Sequence, residues 1–210
     1  MREKLKLVNA VDTNETEVML HPDILNILFE HRRQIRNVFL QINGFYDISH
    51  FSLSIVDPSN EMIILSATPN IEYNLIQQDL WKFDSCFSPL QLNNNQLFWW
   101  NEISQDDSIK SKIEKIKLQN NHFNLGMTLC RQVGDFYFLY SYATKSLEKD
   151  LHNYYSANIF NLINIGDYFY NSISFIYTGY NKTHKLPELG ALNNKAISRQ
   201  KLLKLVINNT

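Results

Sequence analysis

The fold is decided by residues 125–142, which have the sequence LGMTLCRQVGDFYFLYSY. Leu125, Met127 and Leu129 alternate with other residues in the first half, as side chains do along a strand with one buried face. In the second half every second residue is aromatic: Phe136, Phe138, Tyr140 and Tyr142. Val133-Gly134-Asp135 between the halves has the composition of a tight turn. The stretch predicts a hairpin of antiparallel strands near 125–131 and 136–142.

A second hairpin is predicted from strands near 51–56 and 62–66. Phe51, Leu53 and Ile55 alternate with serines, and residues 57–60, Asp-Pro-Ser-Asn, are all turn-forming. Apolar periodicity predicts helices over 22–43, 70–83 and 146–178, with a further helix after a capping box of Ser104 and Asp107. The run Phe98-Trp99-Trp100 fits a short strand.

This order of elements predicts an α/β (α+β) fold. Hairpins imply an antiparallel sheet, and the helices between and after them must cover its faces. We expect an α-β-α sandwich with a central antiparallel sheet of about five strands, similar in outline to PAS and GAF sensor domains.

Composition fits one globular domain with a short appendage. The chain has 210 residues, of which 44% are hydrophobic and 20% charged, and its net charge of -1 creates no field that would attract a polyanion. The N-terminus lacks the apolar stretch of a signal peptide, and no run approaches the roughly 18 apolar residues of a membrane span. We therefore expect a cytoplasmic protein that does not enter a membrane.

The predicted domain covers residues 1–178, and residues 179–210 form a basic tail. This tail holds six Lys or Arg against one Glu, with a short helix predicted over 194–207. It is a possible stub of a DNA-binding domain. Phosphate contacts alone give sequence-independent affinity, and one short helix has no scaffold that would place side chains on base edges. We expect no sequence-specific DNA binding.

The sequence shows no pattern that is typical of catalysis or metal binding. The six histidines have no metal-ligand spacing, and the two cysteines, Cys86 and Cys130, form no zinc motif or disulfide framework. Glycine-rich phosphate loops and nucleophile elbows are absent. We expect no catalytic residue, no metal and no cofactor, and we rank an enzyme last among the possible functions.

Aromatic residues give the better indication of function. Adjacent residues of a strand point to opposite faces, so one of Trp99 and Trp100 is predicted to line a cavity together with Tyr73 or Trp81. Tyr140 and Tyr142 lie on a predicted sheet strand nearby. Aromatic residues line apolar ligand pockets, but they also fill bulky cores, and the sequence leaves both interpretations open.

The order of these residues resembles the autoinducer-binding domain of LuxR-type quorum-sensing regulators over about residues 20–178. The resemblance is carried by the order and spacing of several short motifs. They are Ala67-Thr68-Pro69 followed by Tyr73, then Trp81, Ser88-Pro89, Phe98-Trp99-Trp100, Leu125-Gly126, Gly134-Asp135 and Tyr140-Ser141-Tyr142-Ala143. The resemblance implies a ligand similar to an acyl-homoserine lactone, held between the sheet and one helical layer.

The resemblance also implies roles for individual residues. Trp99 or Trp100 would match the family tryptophan that lies against the lactone, and Tyr73 would stand near the tryptophan that binds the acyl carbonyl. Ser88 occupies the place of the family aspartate that binds the ligand amide, with Asp84 four residues earlier. Ser141 falls on the strand that offers a polar contact.

Together these observations predict a stand-alone sensor domain without the family's helix-turn-helix domain. It would bind a small amphipathic molecule, or modulate a full-length regulator, as a homodimer or as a heterodimer with that regulator. The alternative is a protein-interaction module with a filled core and no ligand. The predicted ligand-binding residues are Tyr73, Trp81, Ser88, Trp99, Trp100, Tyr140 and Ser141.

Overall fold

The computed structural model describes residues 17–84, 86, 97–101, 107–148 and 150–189. The strands are β1 (Met19–Leu20), β2 (Ile48–Val56), β3 (Glu61–Ser66), β4 (Leu97–Trp99), β5 (Leu125–Val133) and β6 (Phe136–Thr144). The helices are α1 (Ile24–Glu30), α2 (Arg32–Ile42), α3 (Asn70–Gln77), α4 (Asp107–Lys117), α5 (Leu151–Ala157) and α6 (Ile159–Tyr180). Ser88, Ser104 and the helix predicted over 194–207 lie outside the described residues.

The six described strands form one sheet in the order β1-β3-β2-β6-β5-β4. Hairpins β2–β3 and β5–β6 are joined through the antiparallel pairing of β2 with β6, and β4 adds antiparallel to β5. The predicted antiparallel sheet and the α+β sandwich are confirmed. The sheet exceeds the expected five strands by the two-residue strand β1, which pairs parallel to β3 at the edge.

The prediction of one helix over 22–43 was wrong, because the helix is interrupted at His31. This residue has φ -99° and ψ 11°, so α1 ends before it and α2 begins after it. The apolar period runs through both helices, which is why the sequence did not reveal the interruption. Gly44, two residues after the end of α2, has a positive φ of 82°, a conformation that glycine adopts without a steric cost.

The helix predicted over 70–83 is shorter than expected, since α3 ends at Gln77. Asp79 has a positive φ of 55°, a conformation that an α-helix cannot continue through. Trp81 therefore lies in a separate 3-10 turn, Trp81–Phe83, rather than on the preceding helix.

The long helix predicted over 146–178 is two helices, α5 and α6. Asp150 has a positive φ of 71°, so α5 begins after it, and the Ser146 hydroxyl accepts a bond from the Glu148 amide in a local turn instead of capping the helix. Asn158 separates α5 from α6, and its side chain donates to the Tyr154 carbonyl. Such local side-chain bonds compete with helix continuation.

The sheet has two differently built faces, both covered by helices. The aromatic face carries Phe51, Phe138, Tyr140 and Tyr142 and packs against α2, α5 and α6. The hydroxyl face carries Ser52, Ser66, Thr128 and Ser141, all buried, and the core on its side contains residues of α3 and α4. The candidate site lies on this hydroxyl face.

Residues beyond the predicted domain boundary at 178 also pack on the domain. Asn181 donates to the buried Asp57 carboxylate at 2.6 Å, and Tyr170 donates to the Pro187 carbonyl at 2.7 Å. Leu189 is buried in the core of the aromatic face. The described part of the predicted tail, 179–189, is thus in contact with the sandwich. No helix within the described ranges has the length and hydropathy needed to cross a membrane.

Candidate ligand-binding site

A row of four hydroxyl side chains crosses the centre of the sheet. Ser66 pairs in register with Ser52, Ser52 with Ser141, and Ser141 with Thr128. Because directly opposed residues of neighbouring strands point to the same face, all four hydroxyls face the α3 and α4 layer. The Thr128 and Ser141 hydroxyl oxygens lie 2.8 Å apart. The row forms a narrow polar strip on the sheet beneath the helical layer.

Trp100 closes one end of the row. Its indole Nε1 donates to the Thr128 hydroxyl at 3.0 Å, and its ring lies directly over Gly126. A Cβ atom at position 126 would lie 2.0 Å from a Trp100 ring carbon, far inside van der Waals contact. The missing side chain at Gly126 is therefore what allows the indole to lie flat against the sheet.

A buried ion pair lies against Trp100. The Lys117 Nζ donates to the Asp84 carboxylate at 2.6 Å, and both side chains are almost fully shielded from solvent. The same ammonium lies 4.2 Å from the centroid of the Trp100 ring, a cation–π distance. Burial alone would lower the pKa of Lys117, but the Asp84 carboxylate, together with smaller effects of Cys86 and Glu72, outweighs burial, and the pKa is raised. Lys117 is thus held as an ammonium ion inside the helix–sheet interface.

Glu72 of α3 lies at the opposite end of the row and is only 6% exposed. Burial raises the pKa of its carboxyl group to about 7, and hydrogen bonds from the Ser66 and Ser52 hydroxyls offset part of this rise. The second carboxyl oxygen, Oε2, has no hydrogen-bond partner in the structure. Glu72 therefore has bonding capacity left at a buried position.

His50 precedes Ser52 on the same face of β2 and is completely buried. Its ring packs against Trp100 and Phe123, with centroid distances of 6.1 and 5.6 Å, and neither ring nitrogen has a partner. Burial, followed by the charge of Lys117, lowers the pKa of His50 to about 3. The imidazole is neutral at physiological pH, with one nitrogen free to donate and the other to accept.

The structure brings three of the predicted site residues together and separates the others. Trp81, Trp100 and Ser141 lie on the hydroxyl side of the sheet. Trp99 contacts the core of the aromatic face, and its ring centroid lies 4.3 Å from that of His152. Trp99 and Trp100 therefore point to opposite faces of the sheet, as predicted. Tyr73 is 37% exposed and packs on Phe29 at the surface.

Tyr140 belongs to the aromatic face rather than to the site. Its hydroxyl donates to Asp167 of α6 at 2.8 Å, and Asp167 also forms an ion pair with Arg131. The Tyr140 ring lies over Gly166, where a Cβ atom would be 2.3 Å from a ring carbon. These contacts attach α6 to the sheet. A shallow crevice with no room for a water molecule, lined in part by Met127, Tyr142 and Tyr155, lies near the end of the same face.

Sequence reasoning missed the polar groups that define the site, which are Glu72, Asp84, Lys117, His50 and Thr128. The resemblance pointed to Ser88 as the residue in the place of the family aspartate, and Asp84 entered only as an acidic residue four positions earlier. One usable signal existed, since each of the four central strands carries at least one serine or threonine next to apolar residues. That pattern is ordinarily typical of a solvated face.

Comparisons with known proteins identify solved structures with a similar fold. No protein-family model matches the sequence, and no curated protein matches it. Among solved structures, the chain is similar to CepR2 from Burkholderia cenocepacia, described as an N-acylhomoserine-lactone-dependent LuxR-family transcription factor. The two share 11% identity with a TM-score of 0.50, over 71% of this chain and 98% of that chain.

Two further solved structures resemble the chain. SdiA in complex with octanoyl-rac-glycerol has 10% identity and a TM-score of 0.48, over 89% of this chain and 75% of that chain. The ligand-binding domain of VqsR from Pseudomonas aeruginosa has 15% identity and a TM-score of 0.43, over 71% of this chain and 96% of that chain. The predicted resemblance to LuxR-type autoinducer-binding domains is confirmed at the level of the fold.

Proposed function

We propose that this chain is a sensor domain that binds a small amphipathic molecule between the hydroxyl face of the sheet and helices α3 and α4. The observation that carries the proposal is the buried polar cluster of Glu72, His50, Lys117 and Asp84 around the hydroxyl row. Among the described residues there is no group of three or more His, Cys, Asp or Glu side chains that could hold a metal ion.

Burying this polar cluster lowers the stability of the fold, so stability alone does not explain its presence. An unsatisfied buried polar group costs about 1–3 kcal/mol, and Glu72 and His50 together present three such atoms. A buried ion pair is often no more stabilising than apolar residues of the same volume. Groups of this kind concentrate at functional sites, which favours a binding role over a purely structural one.

The surroundings of the cluster fit an amphipathic ligand. Apolar side chains flank the hydroxyl row on the same side of the sheet, including Ile64, Leu139, Ile113 and Leu75. A polar strip with apolar flanks can hold a polar head group and an acyl chain together. The similarity in fold to CepR2, an N-acylhomoserine-lactone-dependent protein by its description, supports an acylated molecule as the ligand class.

We propose binding rather than catalysis as the role of the site. Burial raises the pKa of both thiols, Cys86 and Cys130, to about 12, so neither is a thiolate nucleophile at neutral pH. Lys117 is protonated and cannot act as a nucleophilic amine. We further propose that the domain acts in the cytoplasm, as a homodimer or paired with a full-length regulator, and that it does not read DNA sequence.

Native mass spectrometry of the protein purified from its own host tests the proposal. We expect a fraction of the protein to carry one non-covalent small molecule, which denaturing conditions release. Trp100→Ala should lose this adduct, whereas Trp99→Ala, altered on the opposite face, should keep it. An adduct on neither the parent nor Trp99→Ala, together with no stabilisation by any added acyl amphiphile, would contradict the proposal.

The second candidate is a protein-interaction module with a filled core. It is favoured by one observation, the Lys117 side chain lying against the Trp100 ring, where a ligand head group would otherwise stack. The same mass-spectrometry experiment separates the two functions, because a filled core carries no small molecule and instead co-purifies with a stoichiometric protein partner.

A further inference from the structure

We propose that Glu72 and His50 form a subsite for a cationic amine, so that the molecule bound by this domain is an amphiphile with an ammonium head group. This inference rests on the proposed function and names the head group that the site would select.

The two side chains share one region of the interface. Glu72 receives hydrogen bonds from Ser66 and Ser52, so its carboxyl group lies over that end of the hydroxyl row. His50 is two residues from Ser52 on the same strand face, a spacing of roughly 7 Å along a strand. In our proposal, an ammonium head group bound beside Ser52 donates to both side chains.

Each side chain has an acceptor that the protein does not use. Glu72 Oε2 and both His50 ring nitrogens lack partners although the side chains are at least nine-tenths buried. A neutral imidazole offers one lone pair, and an ammonium ion offers three donors and no acceptor. An amine therefore satisfies the carboxylate oxygen and the imidazole together. A carboxylate ligand cannot bond to Glu72 Oε2 while Glu72 is ionised.

The charges in the interface also favour a cationic head group. The Lys117 ammonium is matched by the Asp84 carboxylate 2.6 Å away. The charge of Lys117 also acts on Glu72, but no ion pair joins the two among the described contacts. The cluster therefore has two acidic groups, Asp84 and Glu72, and one cation. An anionic head group would add to this excess, whereas a cationic head group would balance it. Lys117 itself shows that this interface holds an ammonium between a carboxylate and the Trp100 ring.

The test uses three probes with the same tail: decylammonium, decan-1-ol and decanoate. Isothermal titration calorimetry at pH 7.5 on the full chain should give decylammonium the highest affinity, at least about tenfold above the other two, as expected for a charge-assisted bond. Higher affinity for decanoate or decan-1-ol would overturn the amine inference and leave the sensor function standing. Binding of none of the three would overturn both.

Matched variants locate the effect. Glu72→Gln keeps the size of the side chain and removes its charge, so it should weaken decylammonium binding at least about tenfold and change decan-1-ol binding less than about twofold. Asp135→Asn removes one carboxylate from the exposed β5–β6 turn and should leave all three affinities unchanged. Equal losses in the two variants would overturn the assignment to Glu72, since they would reflect overall charge alone.

Discussion

The Lys117 ammonium lies 2.6 Å from the Asp84 carboxylate and 4.2 Å from the centroid of the Trp100 ring. One cation thus connects helix α4, the segment after the Trp81–Phe83 turn and the end of strand β4. Because Trp100 in turn donates to Thr128 on β5, the contact continues into the hydroxyl row. The helical layer and the sheet are coupled through this pair.

Removing one partner of the pair should destabilise the protein strongly. Lys117→Met preserves the length and apolar stem of the side chain but leaves Asp84 buried without its cation, which typically costs about 3–5 kcal/mol. Urea unfolding followed by tryptophan fluorescence measures this loss. In the double variant Lys117→Met with Asp84→Leu, no charge is left unpaired, so most of the stability should return. A double variant as unstable as Lys117→Met alone would contradict this account.

Gly126→Ala should also destabilise the fold, because the added methyl group meets the Trp100 ring. Overpacking of this kind costs about 1–3 kcal/mol. Gly179→Ala in α6 is the matched control, since nothing lies within 4 Å of the added Cβ atom and alanine raises helix propensity by up to about 1 kcal/mol. In chemical denaturation, Gly126→Ala should be less stable than the parent protein and Gly179→Ala slightly more stable.

The pH dependence of stability should separate Glu72 from His50. Burial raises the pKa of Glu72 from 4.5 to about 7, so between these values the folded state binds more protons than the unfolded state and stability falls as pH rises. Burial lowers the pKa of His50 from 6.5 to about 3, so over that range stability rises with pH. The two effects oppose each other between about pH 4.5 and 6.5.

Glu72→Gln removes the contribution to stability that falls as pH rises. The free energy of unfolding of the variant, minus that of the parent, should therefore increase between pH 4.5 and 7, by an amount on the order of 3 kcal/mol. Urea titrations at half-unit pH intervals measure this difference. A difference that stays constant across the window would show that Glu72 is ionised in the folded protein at much lower pH.

The hairpins and the sandwich could be predicted because alternation of apolar residues along a strand is a local property. Phe136, Phe138 and Tyr140 mark the aromatic face from sequence alone. The interruptions at His31 and Asn158 could not be predicted, since the apolar period runs across both positions and only their backbone angles reveal the break. Helix boundaries of this kind depend on local conformation rather than on pattern.

The polar residues of the candidate site could not be predicted from the sequence, for a different reason. Ser52 and Thr128 alternate with apolar residues, as side chains of a solvated sheet face do. Lys117 lies on a helix with several other charged residues and Glu72 on one with several uncharged polar residues, and such side chains ordinarily face solvent. Only the packing of α3 and α4 onto the sheet buries these groups together, and that packing joins segments distant in the chain.

Tyr140 and Ser141 are adjacent in sequence, and both were predicted to bind ligand, but they point to opposite faces of β6. Tyr140→Phe removes the hydroxyl that donates to the buried Asp167 carboxylate, so it should lower stability by about 1–3 kcal/mol. Binding of an acyl amphiphile should be unchanged, because the aromatic face does not contain the proposed site.

Ser141→Ala should show the reverse behaviour. It removes the hydroxyl that lies 2.8 Å from Thr128 in the middle of the hydroxyl row, and the Thr128 oxygen keeps its bond from Trp100. We expect a loss of stability of at most about 1 kcal/mol, together with a several-fold decrease in affinity. Unfolding curves and titration calorimetry on the two variants measure both quantities. Decreased affinity in Tyr140→Phe with none in Ser141→Ala would move the binding site to the aromatic face.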